Sequence, residues 1–152
     1  MDIRTFGDLI EWTRRLHGHL SACLRHCSAD QQEERARYLL TYLSDHEGEL
    51  EKIVTDYEKQ APAQALKTYV YDFLKHTPIK PHEDCDKPFA DLDYAAICRL
   101  IFEYHDQVIA LYKELVGRAE IPETRELARS LLAMEEHEAM RLARQTARMD
   151  DL

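Results

Sequence analysis

Six ionisable residues stand where the surrounding pattern calls for apolar ones: His17, His46, Glu47, His105, Glu135 and Glu138. Each lies on or beside a stripe of apolar residues spaced three and four apart. Imidazole nitrogens mixed with carboxylates, one or two per helix, suit iron, with manganese and zinc as alternatives. Isolated buried charges are costly, so such a layer needs either mutual pairing or a metal. In carboxylate-bridged sites glutamates span two metals and each imidazole holds one. A di-iron or di-manganese centre of that kind binds dioxygen and draws electrons from a substrate or from Fe(II). The projection expects His17, Glu47, His105 and Glu138 as leading ligands, with His46 and Glu135 behind them. The bland alternative is an ion-pair layer in which Glu47 and Glu138 face protonated histidine or Arg141 and set helix register without catalysis.

Other chemistry-bearing groups are weaker. His19, Cys23, His26 and Cys27 share part of one helical face, but zinc sites usually draw on loops as well. Thiols packed between helices explain Cys23 and Cys27 better. His76, His82, Glu83, Asp84, Cys85 and Asp86 crowd one segment punctuated by Pro78, Pro81 and Pro88, which reads as a solvated loop. Tyr104 and Tyr112 are placed to hydrogen-bond site carboxylates.

Four long segments must position the six residues. The first runs over residues 5–27, with Phe6, Leu9, Ile10, Thr13, Leu16, Leu20, Cys23 and Leu24 on its stripe. The second runs over residues 31–58, with Asp30 as cap, Glu33 completing a capping box, and Leu39, Leu40, Leu43, Leu50, Ile53 and Val54 facing in. The third covers residues 92–117, carries Ile97, Ile101, Val108, Leu111, Tyr112 and Leu115, and ends at Gly117. The fourth opens at Pro122, runs to Met149 and carries Leu127, Leu131 and Leu142. Short links make antiparallel hairpins of segments one and two (residues 5–59) and three and four (92–149). A long crossover, residues 60–91, joins them and holds a shorter helix over 62–76. The spacing predicts one all-α domain over residues 1–152. A weak repeat aligns Leu43–Glu47 with Met134–Glu138 and Leu16–His17 with Tyr104–His105. It pairs His137 with His46, whereas periodicity turns His137 outward; the periodicity is preferred.

Composition narrows the class. The formal charge is −9 at pH 7, from 29 acidic and 20 basic residues, which disfavours nucleic acid and anionic membranes as partners. No apolar run approaches the ~20 residues of a bilayer span, and the charged start, Met1-Asp2-Ile3-Arg4, is unlike a signal segment. A cytoplasmic protein with reduced thiols is expected, acting as a homodimer on a metal ion or small molecule.

From Ala96 to Arg144 the sequence resembles the second half of ferritin-like and rubrerythrin-like proteins. The residues carrying the resemblance are Val108 to Leu115, then Ala119-Glu120-Ile121-Pro122-Glu123, then Leu131-Leu132-Ala133-Met134-Glu135-Glu136. The resemblance implies a ferritin-like antiparallel four-helix bundle, two hairpins joined by a long crossover, with a di-iron centre and an oxidase or iron-handling role. The family's Glu-x-x-His signature is altered. Glu138 or Ala139 stands at the histidine position of the fourth helix, and Asp45 and Gly48 stand at the corresponding positions of the second. His17 and His105 fall where the family has single glutamates, so histidines and glutamates have exchanged helices. The alternative reading is a non-catalytic helical scaffold or interaction module with a metal-free polar core.

Overall fold

The computed structural model describes residues 3–70 and 89–151. Four long helices carry the structure: α1 (Phe6–Ser28), α2 (Glu34–Gln60), α4 (Tyr94–Arg118) and α5 (Pro122–Asp150). A single turn, α3 (Ala63–Leu66), follows α2, and a 3₁₀ turn (Phe89–Asp91) precedes α4. Local chemistry sets the starts. Thr5 and Asp8 form a reciprocal capping box, each side chain accepting the other's backbone N–H at 3.1 Å. Asp93 caps α4 by accepting Ala96 N–H at 2.8 Å, and Pro122 occupies the first turn of α5.

Three boundaries differ from expectation. Helix α2 begins at Glu34, and the Asp30–Glu33 capping box does not form. Gln31 is instead buried, donating to Phe89 O and Leu92 O at 3.2 and 2.9 Å and accepting Glu33 N–H at 3.1 Å. Gly117 lies inside α4, whose C-cap is Ala119. The helix expected over 62–76 stops at Leu66, because the chain there serves α1: Thr68 O accepts the Phe6 N–H at 2.7 Å and Val70 N–H donates to Arg4 O at 2.8 Å. The first N–H groups of a helix have no internal partner, and Thr68 supplies one. Residues 71–76, and with them His76, His82, Glu83, Asp84, Cys85 and Asp86, lie outside the described residues.

The contacts fix the directions. Ser21 with Ser44, and Arg14 with Glu51, run α1 and α2 antiparallel. Tyr94 with Thr146 does the same for α4 and α5. The hairpin loop of α1 and α2 meets the start of α4 through Gln31 and Leu92, so α2 ends and α4 begins at opposite ends of the bundle. This is the all-α, antiparallel four-helix arrangement expected from the sequence. The first pair approaches closely: Ser21 and Ser44 each donate to the other's carbonyl, at 2.8 and 2.7 Å. Gly48 permits the approach, since a Cβ there would sit 3.3 Å from Ser21 Oγ.

Two aliphatic blocks fill the bundle. One holds Leu20, Leu24, Leu39, Leu40, Leu43, Ile97, Ile101 and Leu142; the other holds Leu9, Ile10, Leu50, Val54, Val108, Leu111 and Leu131, closed by the ring of Phe6. Between them lies a layer built from His17, Glu47, His105 and Glu135. One turn from it on α1, Thr13 donates to Leu9 O at 2.9 Å and accepts from the buried Tyr112 hydroxyl at 2.9 Å. Tyr112 is therefore tied to a threonine and not to a site carboxylate. Thr13→Val should leave that phenol unpartnered and cost about 2 kcal/mol, whereas adding Tyr112→Phe removes both polar groups and should recover part of the loss; urea unfolding of the two variants checks this.

Candidate metal centre

The layer assembles because each helix substitutes one ionisable residue into its seam at the same height. His17 replaces an aliphatic between Thr13 and Leu20 on α1, and His105 does so between Ile101 and Val108 on α4. On α2, Glu47 lies between Leu43 and Leu50, and on α5, Glu135 lies between Leu131 and Leu142. All four are buried, none more than 1% exposed.

Their hydrogen bonds form one chain. His17 faces Glu47 Oε2 from Nδ1 at 2.6 Å and Glu135 Oε1 from Nε2 at 2.8 Å. His105 Nε2 faces the second oxygen of Glu47, Oε1, at 2.5 Å. Ionised carboxylates only accept, so both His17 nitrogens carry protons here. Burial works against that charge, but Glu135 and Glu47 outweigh it and raise the His17 pKa to about 10. Burial likewise opposes charge on His105, and Glu47 overcomes it, again shifting the pKa upward. Glu47 would be pushed up by burial; His105 and His17 instead hold it far below the ordinary carboxylate range. Positive and negative groups alternate through the layer, which is what makes burial of four ionisable side chains tolerable.

His46 and Glu138 stand at the rim. His46 is 8% exposed, its ring 6.4 Å from that of His105 and stacked on Tyr42 at 6.3 Å. Burial lowers its pKa, leaving the imidazole neutral. Its Nε2 is 4.0 Å from Glu138 Oε2, which also lies 3.6 Å from Arg141 Nη1. Glu138 and Glu135 thus exchange the places expected of them: Glu135 reaches His17, and Glu138 stays at the edge with Arg141. His137 points to solvent, as its periodicity requires. Tyr42 is the rim residue that the sequence reading missed, although its i, i+4 spacing from His46 was visible.

A metal fits these residues. Among the described residues, His17, Glu47 and His105 offer one ligand atom each within 4.8 Å of one another. Three further buried atoms lack a hydrogen-bond partner: His105 Nδ1, Glu135 Oε2 and His46 Nε2. Ligands at right angles around a transition metal, each about 2.1 Å away, stand about 3 Å apart, close to the separations already present. The set contains nitrogen and oxygen donors without thiolate, which favours iron, manganese or zinc.

The second candidate cluster does not assemble. His19 Nε2 lies 3.5 Å from Cys23 Sγ, but Cys23 is disulfide-bonded and has no thiolate to give. Cys27 and Cys98 are free, so the expectation of reduced thiols fails at Cys23 alone among the described cysteines.

Linkage gives the metal-free layer a pH signature. His17, raised from 6.5 to about 10, contributes stability that is complete below 6.5 and lost as pH rises toward 10. Glu47, depressed from 4.5, contributes stability that is present above 4.5 and lost as pH falls through its lowered value. Metal-free protein should therefore be most stable between these limits. Glu135→Gln should flatten the alkaline decline, as measured by urea midpoints across the pH range.

No family model and no curated protein sequence matches the chain. A solved structure from Thermotoga maritima, described as that of a candidate ferritin-like diiron-carboxylate protein, is similar with a TM-score of 0.59 and 14% sequence identity. The similarity covers 94% of this chain and 95% of that one. With four long antiparallel helices and a polar layer at mid-height, the chain has the ferritin-like fold.

Proposed function

We propose that the protein is a metal-binding member of the ferritin-like type, with His17, Glu47, His105 and Glu135 holding iron or manganese for an oxidase or iron-handling role. The observation that carries this reading is Glu47, whose two oxygens face two different imidazoles. A carboxylate so placed would hold metal together with either imidazole, as glutamates do in carboxylate-rich helical bundles. Such a centre, when loaded, supplies one-electron redox chemistry toward dioxygen.

The chain's own residues supply the rest. Aliphatic side chains on either side of the layer, Leu43, Ile101, Val108 and Leu131 among them, exclude water. His17 has a carboxylate on each ring nitrogen, so when one nitrogen takes a metal the other keeps a hydrogen bond that fixes the ring. The unpartnered His105 Nδ1 and Glu135 Oε2 are the donor atoms that pairing within the layer leaves free.

One observation favours a second reading. With His17 and His105 protonated, Glu47 and Glu135 are neutralised without a metal, as a structural layer in a non-catalytic scaffold would be. Thermal unfolding separates the two. Under the metal reading, Mn(II) or anaerobic Fe(II) raises the Tm of the wild-type protein; at a hundred times the Kd the gain is about 2.7 kcal/mol. Glu47→Gln should abolish the rise. An unchanged wild-type Tm at millimolar metal, with helicity intact, supports the scaffold.

A further inference from the structure

The rim pair, His46 and Glu138, is a different kind of place from the buried layer. The α5 seam runs Thr124, Ala128, Leu131, Glu135, Glu138, Leu142, Thr146 and Met149, and all but Glu138 are buried. Glu138 is the step at which that seam opens, its side chain 12% exposed. Across from it, His46 is more than nine-tenths buried, yet its Nε2 has no hydrogen-bond partner. The 4.0 Å between His46 Nε2 and Glu138 Oε2 is too long for a hydrogen bond. Two donors each about 2.1 Å from one cation stand about 3 Å apart at right angles and about 4.2 Å apart when opposed, so the pair is spaced for a cation lying nearly between them. Tyr42 stacks on the His46 ring and limits its swing.

The pair connects the surface to the layer by covalent adjacency. His46 precedes Glu47 on α2, and Glu138 lies one helical turn beyond Glu135 on α5. The His46 ring lies 6.4 Å from that of His105, so the pair borders the layer. Arg141 occupies the outer side of Glu138 at 3.6 Å, with its own side chain 68% exposed. Its guanidinium balances the Glu138 carboxylate, and its exposure leaves it room to move away.

We propose that His46 and Glu138 form an entry site, which captures a divalent transition-metal ion at the α2–α5 seam and passes it to the buried layer, with Arg141 as the exchangeable counter-charge that the ion displaces. This assignment rests on the reading of the layer as a metal site. It separates the six candidate residues into four that hold the ion and two that admit it. His46 Nε2 has no hydrogen bond to give up before it contacts the ion, which suits capture. His17 and Glu47, by contrast, have both ring nitrogens and both oxygens in hydrogen bonds that must break before they bind, which suits retention.

The test mixes metal-free protein with Co(II) and follows the visible Co(II) absorption in time, with final occupancy measured by elemental analysis. His46→Ala and Glu138→Gln should slow uptake by about tenfold or more, the scale on which local charge and capture act on association, and leave final occupancy unchanged. Arg141→Gln, at an exposed position where folding is not at risk, should accelerate uptake. Equal rates in wild type and all three variants overturn the entry site and leave the metal layer standing. Loss of final occupancy in Glu138→Gln or His46→Ala also overturns it, since the pair is then a resident ligand. A wild-type protein that takes up no Co(II) overturns both the layer's metal reading and this one.

Discussion

The structure depends on one carboxylate, Glu47, held without solvent between two imidazoles. A charge buried at mid-bundle is tolerable only when it is paired, and Glu47 accepts from His17 at 2.6 Å and His105 at 2.5 Å. Those two bonds join α2 to α1 and to α4. The bond from His17 to Glu135 then brings in α5. Four helices from two hairpins are thereby fixed at one height, because a slip of one turn in any of them would leave a buried charge facing an aliphatic side chain. The aliphatic blocks on either side supply most of the burial, but they are chemically uniform and would tolerate other registers. The polar layer would not.

That constraint links fold to function. A layer so well neutralised by its own protons is stable without a metal, yet each proton it holds sits where a metal could replace it. Alternating imidazolium and carboxylate lets four ionisable groups stay buried in a folded bundle with no metal present. The rim completes the logic. His46 Nε2 has no hydrogen-bond partner and Glu138 is balanced by an exposed arginine, so the groups at the edge of the layer are held by weaker ties than those inside it.

Much of this was legible in the sequence. Apolar residues three and four apart marked all four helices, and the break in each stripe marked the layer. His105 was plain because it lies between Ile101 and Val108. The choice between Glu135 and Glu138 was not legible: both occupy the same seam of α5, and which one reaches His17 depends on the neighbouring helices. The α2 start was misplaced because Asp30 and Glu33 have capping chemistry, but Gln31 between them is drawn away to Phe89 and Leu92, residues distant in sequence. The helix expected over 62–76 lost to a similar tertiary demand, the unpaired N–H at the head of α1. The disulfide at Cys23 left no signature in spacing.

The central claim is that the layer of His17, Glu47, His105 and Glu135 holds a metal. Anomalous diffraction from crystals of the protein grown with Fe(II) or Mn(II) tests it most directly. The account expects an anomalous peak among these four side chains, with at least one of the His17 contacts to Glu47 and Glu135 given up to the metal. A clear map with no peak there, and with His17 still bonded to both carboxylates at 2.6 and 2.8 Å, would contradict it and leave the layer as a structural ion-pair network.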